Sequence, residues 1–414
     1  MLNKEIMIIL PKKISILRNK KNQGIVTDKE EYSIYYQNII YPYSTEYDVQ
    51  IKCEYGQNLG HCWRIDSFDN VAKVFDFSLQ IYDDYGKLLA CKNCKIEIFE
   101  KKSHEDINLL CIGDSMTRSE IYIRQAVNKA RNIKTVGLRN ISNNVNHEGR
   151  GGWTSYAFFE SAADIGKGIS PFLFPIGYEG EKYFGCKVFW EKINSGEFSD
   201  DYNYAGITKQ QIEEGMLCYD DNKLYRYVNG TYVEEQENPR FEFSFKKYLE
   251  RYKIASPNIV SLLFGANEFP ESYEYIETEA KRFIDTLKKM VSSIKEYDEK
   301  IKIIVNLPIC GADQYAWGMQ MGCGGGGKMY DYWIKTVSAA ILKAFDCRRS
   351  ENIYVCPMIA VCDPVAGFPW AYTKINVYSE RTQICHTNWI HPSEIGYKQM
   401  GDALAGVLAD IRDK

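Results

Sequence analysis

The chain has no long apolar run. Its first one, Ile6-Met7-Ile8-Ile9-Leu10, is shorter than a secretory core and is followed at once by Pro11-Lys12-Lys13; nothing later approaches about 18 uncharged apolar residues. Neither a signal peptide nor a membrane span is read, so no membrane partner is expected. An excess of charge is missing too. Fifty-one basic side chains against fifty-five acidic ones leave a net charge of -4, with no strongly basic stretch beyond Lys12 to Lys21. Such a balance excludes a dedicated nucleic-acid binder. No regular disulfide pattern is visible either. The cysteine count is odd, 13, and several sit inside apolar strand-like runs (Cys111, Cys356), which suits buried free thiols in a reducing compartment. A cytoplasmic protein is the default expectation; export with a separate leader would look the same.

What is present is an ordinary globular balance, 45% apolar and 26% charged over 414 residues, enough for two or three domains. The first hundred residues read as β. Phe75, Phe77, Leu79 and Ile81 alternate with polar neighbours, Asp83-Asp84-Tyr85-Gly86 punctuates a turn, and short strands are predicted over Lys87 to Ala90 and Lys95 to Phe99. Ile14 to Leu17, Tyr32 to Ile40 and Tyr47 to Tyr55 carry similar aromatic and β-branched content. A small β-sandwich over 1–104 is expected, similar in its strand-turn-strand pattern to bacterial immunoglobulin-like accessory domains.

After Asp106 the grammar changes to strand-turn-helix. Strands are predicted at Ile107 to Ile112, Asn258 to Phe264, Ile301 to Leu307 and Ile353 to Cys356, and helices at Ser119 to Arg131, Glu274 to Tyr297, Lys328 to Phe345 and Glu394 to Ile411. This alternation specifies a parallel sheet covered by helices on both faces, with catalytic groups at the carboxyl ends of its strands. Between residues 173 and 242 the alternation stops. That stretch reads as an insertion with one hairpin, Lys223 to Val228 and Thr231 to Glu234, joined by Asn229-Gly230 in a type I′ turn. Asn229-Gly230-Thr231 also matches a glycosylation acceptor, a coincidence in a chain without a secretion signal.

Gly113-Asp114-Ser115 ends the first apolar strand and opens a helix, where a hydroxyl stands above the sheet edge and its amide lies near a helix N-terminus. By itself the tripeptide is an ordinary turn and helix cap. Three further blocks follow in order: His147-Glu148-Gly149-Arg150-Gly151-Gly152-Trp153-Thr154, Phe264-Gly265-Ala266-Asn267-Glu268, and His391-Pro392-Ser393 before the terminal helix. Histidine is scarce, with five residues at 61, 104, 147, 386 and 391, and His391 alone directly precedes that helix.

Together these four blocks resemble the SGNH (GDSL-type) hydrolase superfamily. The resemblance covers about 106–412 without the insertion. It implies an α/β fold with a flavodoxin-like parallel sheet flanked by helices, preceded here by the all-β sandwich, so that 105–414 forms the hydrolase domain. It implies Ser115 as nucleophile and His391 as general base. The amides of Ser115 and Gly152 and the side chain of Asn267 would form the oxyanion hole. Among Gly149, Gly151 and Gly152, Gly152 is chosen because the family's glycine usually precedes a polar or aromatic residue and a threonine. The implied activity is that of a serine esterase without metal or cofactor, acting on short acyl esters such as O-acetyl groups on a small molecule or a glycan.

Two positions depart from the family pattern. Glu268 stands where aspartate is usual, and Asn388 stands three residues before His391 in place of an aspartate. A carboxamide at 388 can orient the imidazole through Nδ1 but cannot stabilise its cation. Asn388 is the expected third member, with Glu268 and Asp363 the next acids to consider. The same departures support a rival reading, a carbohydrate-binding or structural protein that retains the fold without catalysis. Other signals are discounted. Gly322 to Met329 lacks the Mg²⁺-ligating hydroxyl of a phosphate loop, since Met329 replaces it, and Cys91-Lys92-Asn93-Cys94 has no second pair at zinc-ribbon spacing. Aromatics at Trp190, Tyr202, Tyr204, Tyr225, Tyr227 and Trp317 could stack on sugars, but such residues more often serve core and interface packing.

Overall fold

The computed structural model describes residues 6–18, 31–66, 68, 71–100, 106–142, 145–160, 170–186, 213–324 and 326–413. Trp190, Tyr202 and Tyr204, singled out above, lie outside the described residues, as do His104 and Gly325.

The N-terminal part is built from β1 (Lys13–Arg18), β2 (Tyr32–Tyr35), β3 (Asp48–Cys53), β4 (Cys62–Ile65), β5 (Val74–Tyr82) and β6 (Leu88–Glu100). One four-stranded sheet runs β1-β6-β5-β3; β2, β4 and the short strand Gln57–Asn58 make a second, three-stranded sheet. Period-two patterning decides the faces. Along β5, Phe75, Phe77, Leu79 and Ile81 are buried while the intervening residues reach solvent or its margin. Trp63 from the second sheet meets Phe77 from the first edge-on, ring centroids 5.2 Å apart, which closes the sandwich. The two short strands predicted over 87–99 are one continuous strand, β6, because β5 pairs with it almost end to end and Cys91-Lys92-Asn93-Cys94 makes ladder contacts rather than a turn. Cys91 is exposed and Cys94 buried, as residues three apart on a strand must face opposite ways.

The α/β part contains β7 (Ile107–Gly113), α1 (Ser115–Arg118), α2 (Ile121–Ala130), β8 (Ile133–Val136), β9 (Glu148–Gly149), β10 (Ile259–Leu263), α3 (Ile276–Tyr297), β11 (Lys302–Asn306), α4 (Gln314–Met321), α5 (Gly327–Phe345), β12 (Ile353–Cys356) and α6 (Glu394–Arg412). Its parallel sheet has the order β8-β7-β10-β11-β12, with β9 paired to the end of β7. The chain's first α/β strand, β7, is therefore internal and its second lies at one edge, the doubly wound flavodoxin-like order. All five residues of β10 are buried, as expected of a strand covered on both faces. The helix expected over 119–131 forms as α2, and a separate short turn, α1, precedes it. Glu120 adopts a left-handed conformation, φ 63°, which separates α1 from α2. In the insertion, Lys223–Val228 and Thr231–Glu237 form the predicted hairpin, with positive φ at both Asn229 and Gly230.

One apolar core runs through both parts. The contact is also polar: buried Asp410 on α6 accepts from Ser15 Oγ at 2.7 Å and Lys13 Nζ at 3.0 Å and pairs with Arg349. Asn38 Nδ2 donates to the carbonyls of Ile359 and Cys362, and buried Lys335 donates to Gln37 O at 2.6 Å. Helix α6 approaches β1 at Gly406, where an added Cβ would lie 1.9 Å from Ser15 O. A backbone atom of a paired strand cannot swing aside. Gly406→Ala should therefore lower the thermal midpoint, because overpacking of about 1–3 kcal/mol outweighs the gain of about 1 kcal/mol in helix propensity. An unchanged or higher midpoint in differential scanning would show that β1 can withdraw.

Candidate active site

Ser115 is the first residue of α1, directly beyond β7. Asp114 caps that turn, its buried carboxylate accepting from Met116 N–H at 2.9 Å. Burial is the main force on Asp114. It lifts the carboxyl from its ordinary range to about 7, further aided by the neighbouring charge of Glu268 and opposed by the backbone donors.

Opposite Ser115, His391 Nε2 lies 2.8 Å from Ser115 Oγ. The loop that carries it is held by backbone contacts. Ala312 N–H donates to Trp389 O, Thr387 N–H to Pro369 O and Ser393 N–H to Gly367 O, while Trp389 N–H donates to Gln320 Oε1 at 2.8 Å. Burial lowers the pKa of His391 below its ordinary value, because an imidazolium is poorly hydrated there.

Asn388 does not take the role expected of it. Its Oδ1 accepts from the N–H groups of Ile390 and His391 at 3.1 and 2.9 Å, so it shapes the turn in which the histidine sits rather than binding Nδ1. A short side chain two and three residues upstream folds back most readily onto local N–H groups, which outcompete the ring. Glu268 and Asp363 do not touch His391 either. Asp363 accepts from Tyr35 O–H, Val365 N–H and Ala366 N–H. Among the described residues no carboxylate partners His391, and its ring contacts Ser115 Oγ alone of the residues expected around it.

The glycine block is docked on β7, the strand that leads to Ser115, through β9, which pairs with Ile112 and Gly113. His147 Nδ1 accepts from Gly149 N–H at 2.8 Å, which leaves Nε2 to donate to Glu120 at 3.2 Å and fixes the neutral tautomer. Burial disfavours the charge of Glu120, but donation from His147, Ser142 and Ile141 prevails and holds its carboxyl at about 2. Gly149 is a packing glycine: a Cβ there would lie 2.3 Å from Arg118 N, and its own N–H is engaged. Gly152 occupies the third position of a turn closed by Trp153 N–H to Arg150 O, with φ 71°. Asn267 follows β10 and its Nδ2 donates to Trp153 O at 2.9 Å.

Ser115, Gly152, Asn267, Asn388 and His391 line one cleft of about 660 Å³, together with Arg118, Ser119, Ile141, Gly151, Gln320, Trp389, Ile390 and Tyr397. Gln320, on α4, and Trp389 were not anticipated as lining residues. Trp317 packs against Trp389 at 4.3 Å and is core, not an open sugar platform.

No family model matches the chain, and no curated protein matches it. The chain is similar to solved structures of esterases. One is a carbohydrate acetylesterase family member from Sinorhizobium meliloti, with 10% identity over 74% of this chain and 100% of that one and a TM-score of 0.36. A second is a family two carbohydrate esterase from Clostridium thermocellum in complex with cellohexaose, with 13% identity, 92% and 91% coverage and a TM-score of 0.34. A third is a carbohydrate esterase family 2 enzyme plus carbohydrate binding domain from Corynascus thermopiles, with 11% identity, 92% and 91% coverage and a TM-score of 0.36.

The Asp114 carboxyl generates a test. An unfolded aspartate ionises near 3.9, so between that value and about 7 the folded chain holds a proton the unfolded chain has lost, and stability falls as pH rises through this window. Asparagine caps as well and does not titrate. Asp114→Asn should therefore raise the thermal midpoint relative to the unmodified protein, and by more at pH 8 than at pH 4.5. A difference independent of pH would show that the carboxyl is not held protonated.

Proposed function

We propose that the protein is a serine esterase that removes short acyl groups, O-acetyl foremost, from carbohydrates, with residues 1–104 forming an accessory β-sandwich domain to a hydrolase domain at 105–414. The observation that carries this reading is the 2.8 Å approach of His391 Nε2 to Ser115 Oγ in a cleft that also holds Gly152 and Asn267. Ser115 O–H gives its proton to Nε2 as Oγ attacks the ester carbonyl. The amides of Ser115 and Gly152 and the Asn267 carboxamide receive the oxyanion, which is the largest single contribution such sites make. Collapse of the tetrahedral species expels the alcohol, protonated by the imidazolium, and water hydrolyses the acyl-enzyme by the same route in reverse. The departures at 268 and 388, which favoured a non-catalytic protein, have structural accounts as backbone anchors.

Acetate release from acetylated glycans, measured alongside labelling by a fluorophosphonate probe, tests the reading. Ser115→Ala should abolish both while leaving the thermal midpoint nearly unchanged, since the hydroxyl makes one contact at the edge of the cleft. Retained hydrolysis in that variant, or no labelling of the unmodified protein, refutes the assignment.

The base generates a second test. His391 must be neutral to accept the proton, and burial without a carboxylate lowers its pKa, so the acidic limb of the kcat/KM profile should lie below about pH 6.5. Asn388→Asp keeps an oxygen for the two N–H groups and adds a negative charge beside the ring, which favours the imidazolium. The limb should then move to higher pH. A limb that does not move identifies a different titrating group.

A further inference from the structure

Two loops must be held in register for an oxyanion hole assembled from Gly152 and Asn267, because the donors lie 115 residues apart in sequence on separate strand ends. A contact that spans them is needed. Asn267 supplies one through Nδ2 to Trp153 O. Its neighbour supplies two more: Glu268 Oε1 accepts from Ser155 N–H at 2.6 Å, and Oε2 accepts from Gly265 N–H at 3.0 Å.

We propose that Glu268 is the positioning residue of the oxyanion hole, each carboxylate oxygen fixing the backbone of one donor-bearing loop so that Gly152 and Asn267 face the same point. The proposal rests on the esterase reading. Glu268 is 5% exposed and is not among the residues that line the cleft, so it acts through the donors and not on substrate. Its length matters. Glutamate reaches both loops from the residue after Asn267, and aspartate, one methylene shorter, has less reach. Its charge matters as well. Burial pushes its carboxyl up while the two N–H groups hold it down, and an amide in its place would turn an NH₂ toward one N–H donor and leave that donor unpaired.

The test uses the full chain with p-nitrophenyl acetate as substrate. Glu268→Gln should lower kcat about 10²-fold with KM within about twofold, the loss expected when oxyanion donors are displaced by a fraction of an ångström to an ångström. Glu268→Asp should fall between. Combined with Asn267→Ala, Glu268→Gln should add less than about tenfold, because one of the donors it positions is already gone. The acidic limb assigned to His391 should stay where it is in both variants. An unchanged kcat, a loss confined to KM, or full multiplication with Asn267→Ala overturns the proposal. If Glu268→Gln does not fold, Glu268→Asp decides: reduced kcat with a thermal midpoint within a few degrees supports positioning, whereas full activity or loss of fold in both variants refutes it. Failure of the esterase reading looks different: the unmodified protein would then not hydrolyse the ester, or its hydrolysis would survive Ser115→Ala.

Discussion

Four acidic side chains are buried at the carboxyl edge of the sheet, Glu148 among them with donors from Leu138, Arg150 and Tyr248, and a buried carboxyl group persists only where donors converge on it. Asp114 gathers the turn of α1. Glu120, in its left-handed conformation, gathers Ile141, Ser142 and His147. Glu268 gathers Ser155 and Gly265. Each one converts a loop that could wander into a loop with one shape. The positions of Ser115, Gly152 and Asn267 follow from those shapes, and apolar packing underneath only supports them.

The histidine loop is built differently. It has no buried carboxylate of its own and is fixed through Asn388, the Gln320 side chain and a series of main-chain bonds. An imidazole held this way gains orientation without gaining a counter-ion. Its imidazole is therefore easier to keep neutral and harder to protonate, the opposite balance from a carboxylate-backed triad.

Much of this was legible in the order of residues. The period-two run at 75–81 and the strand-helix alternation after Asp106 follow directly from burial on one or two faces, and β7, β10, β11 and β12 fall where continuous apolar runs predict them. Three of the site blocks were legible because each lies at a strand end, and the fourth because His391 directly precedes the terminal helix. Features that depend on long-range partners were not. The break between α1 and α2 is set by what Glu120 binds some twenty residues later, and the continuity of β6 is set by its partner β5. Asn388 was assigned to the ring because the neighbouring family has a carboxylate there, yet its reach favours the two nearest N–H groups. Glu268 was visible only as a departure from a pattern; its two partners lie on different loops, and nothing local announces them.

Helix α6 begins immediately after His391-Pro392-Ser393 and ends against β1, with Gly406 and Asp410 locking it to the N-terminal sheet. The sandwich is thereby not a passenger on a tether. One helix joins it to the loop that carries His391, and the two ends of that helix belong to the two parts.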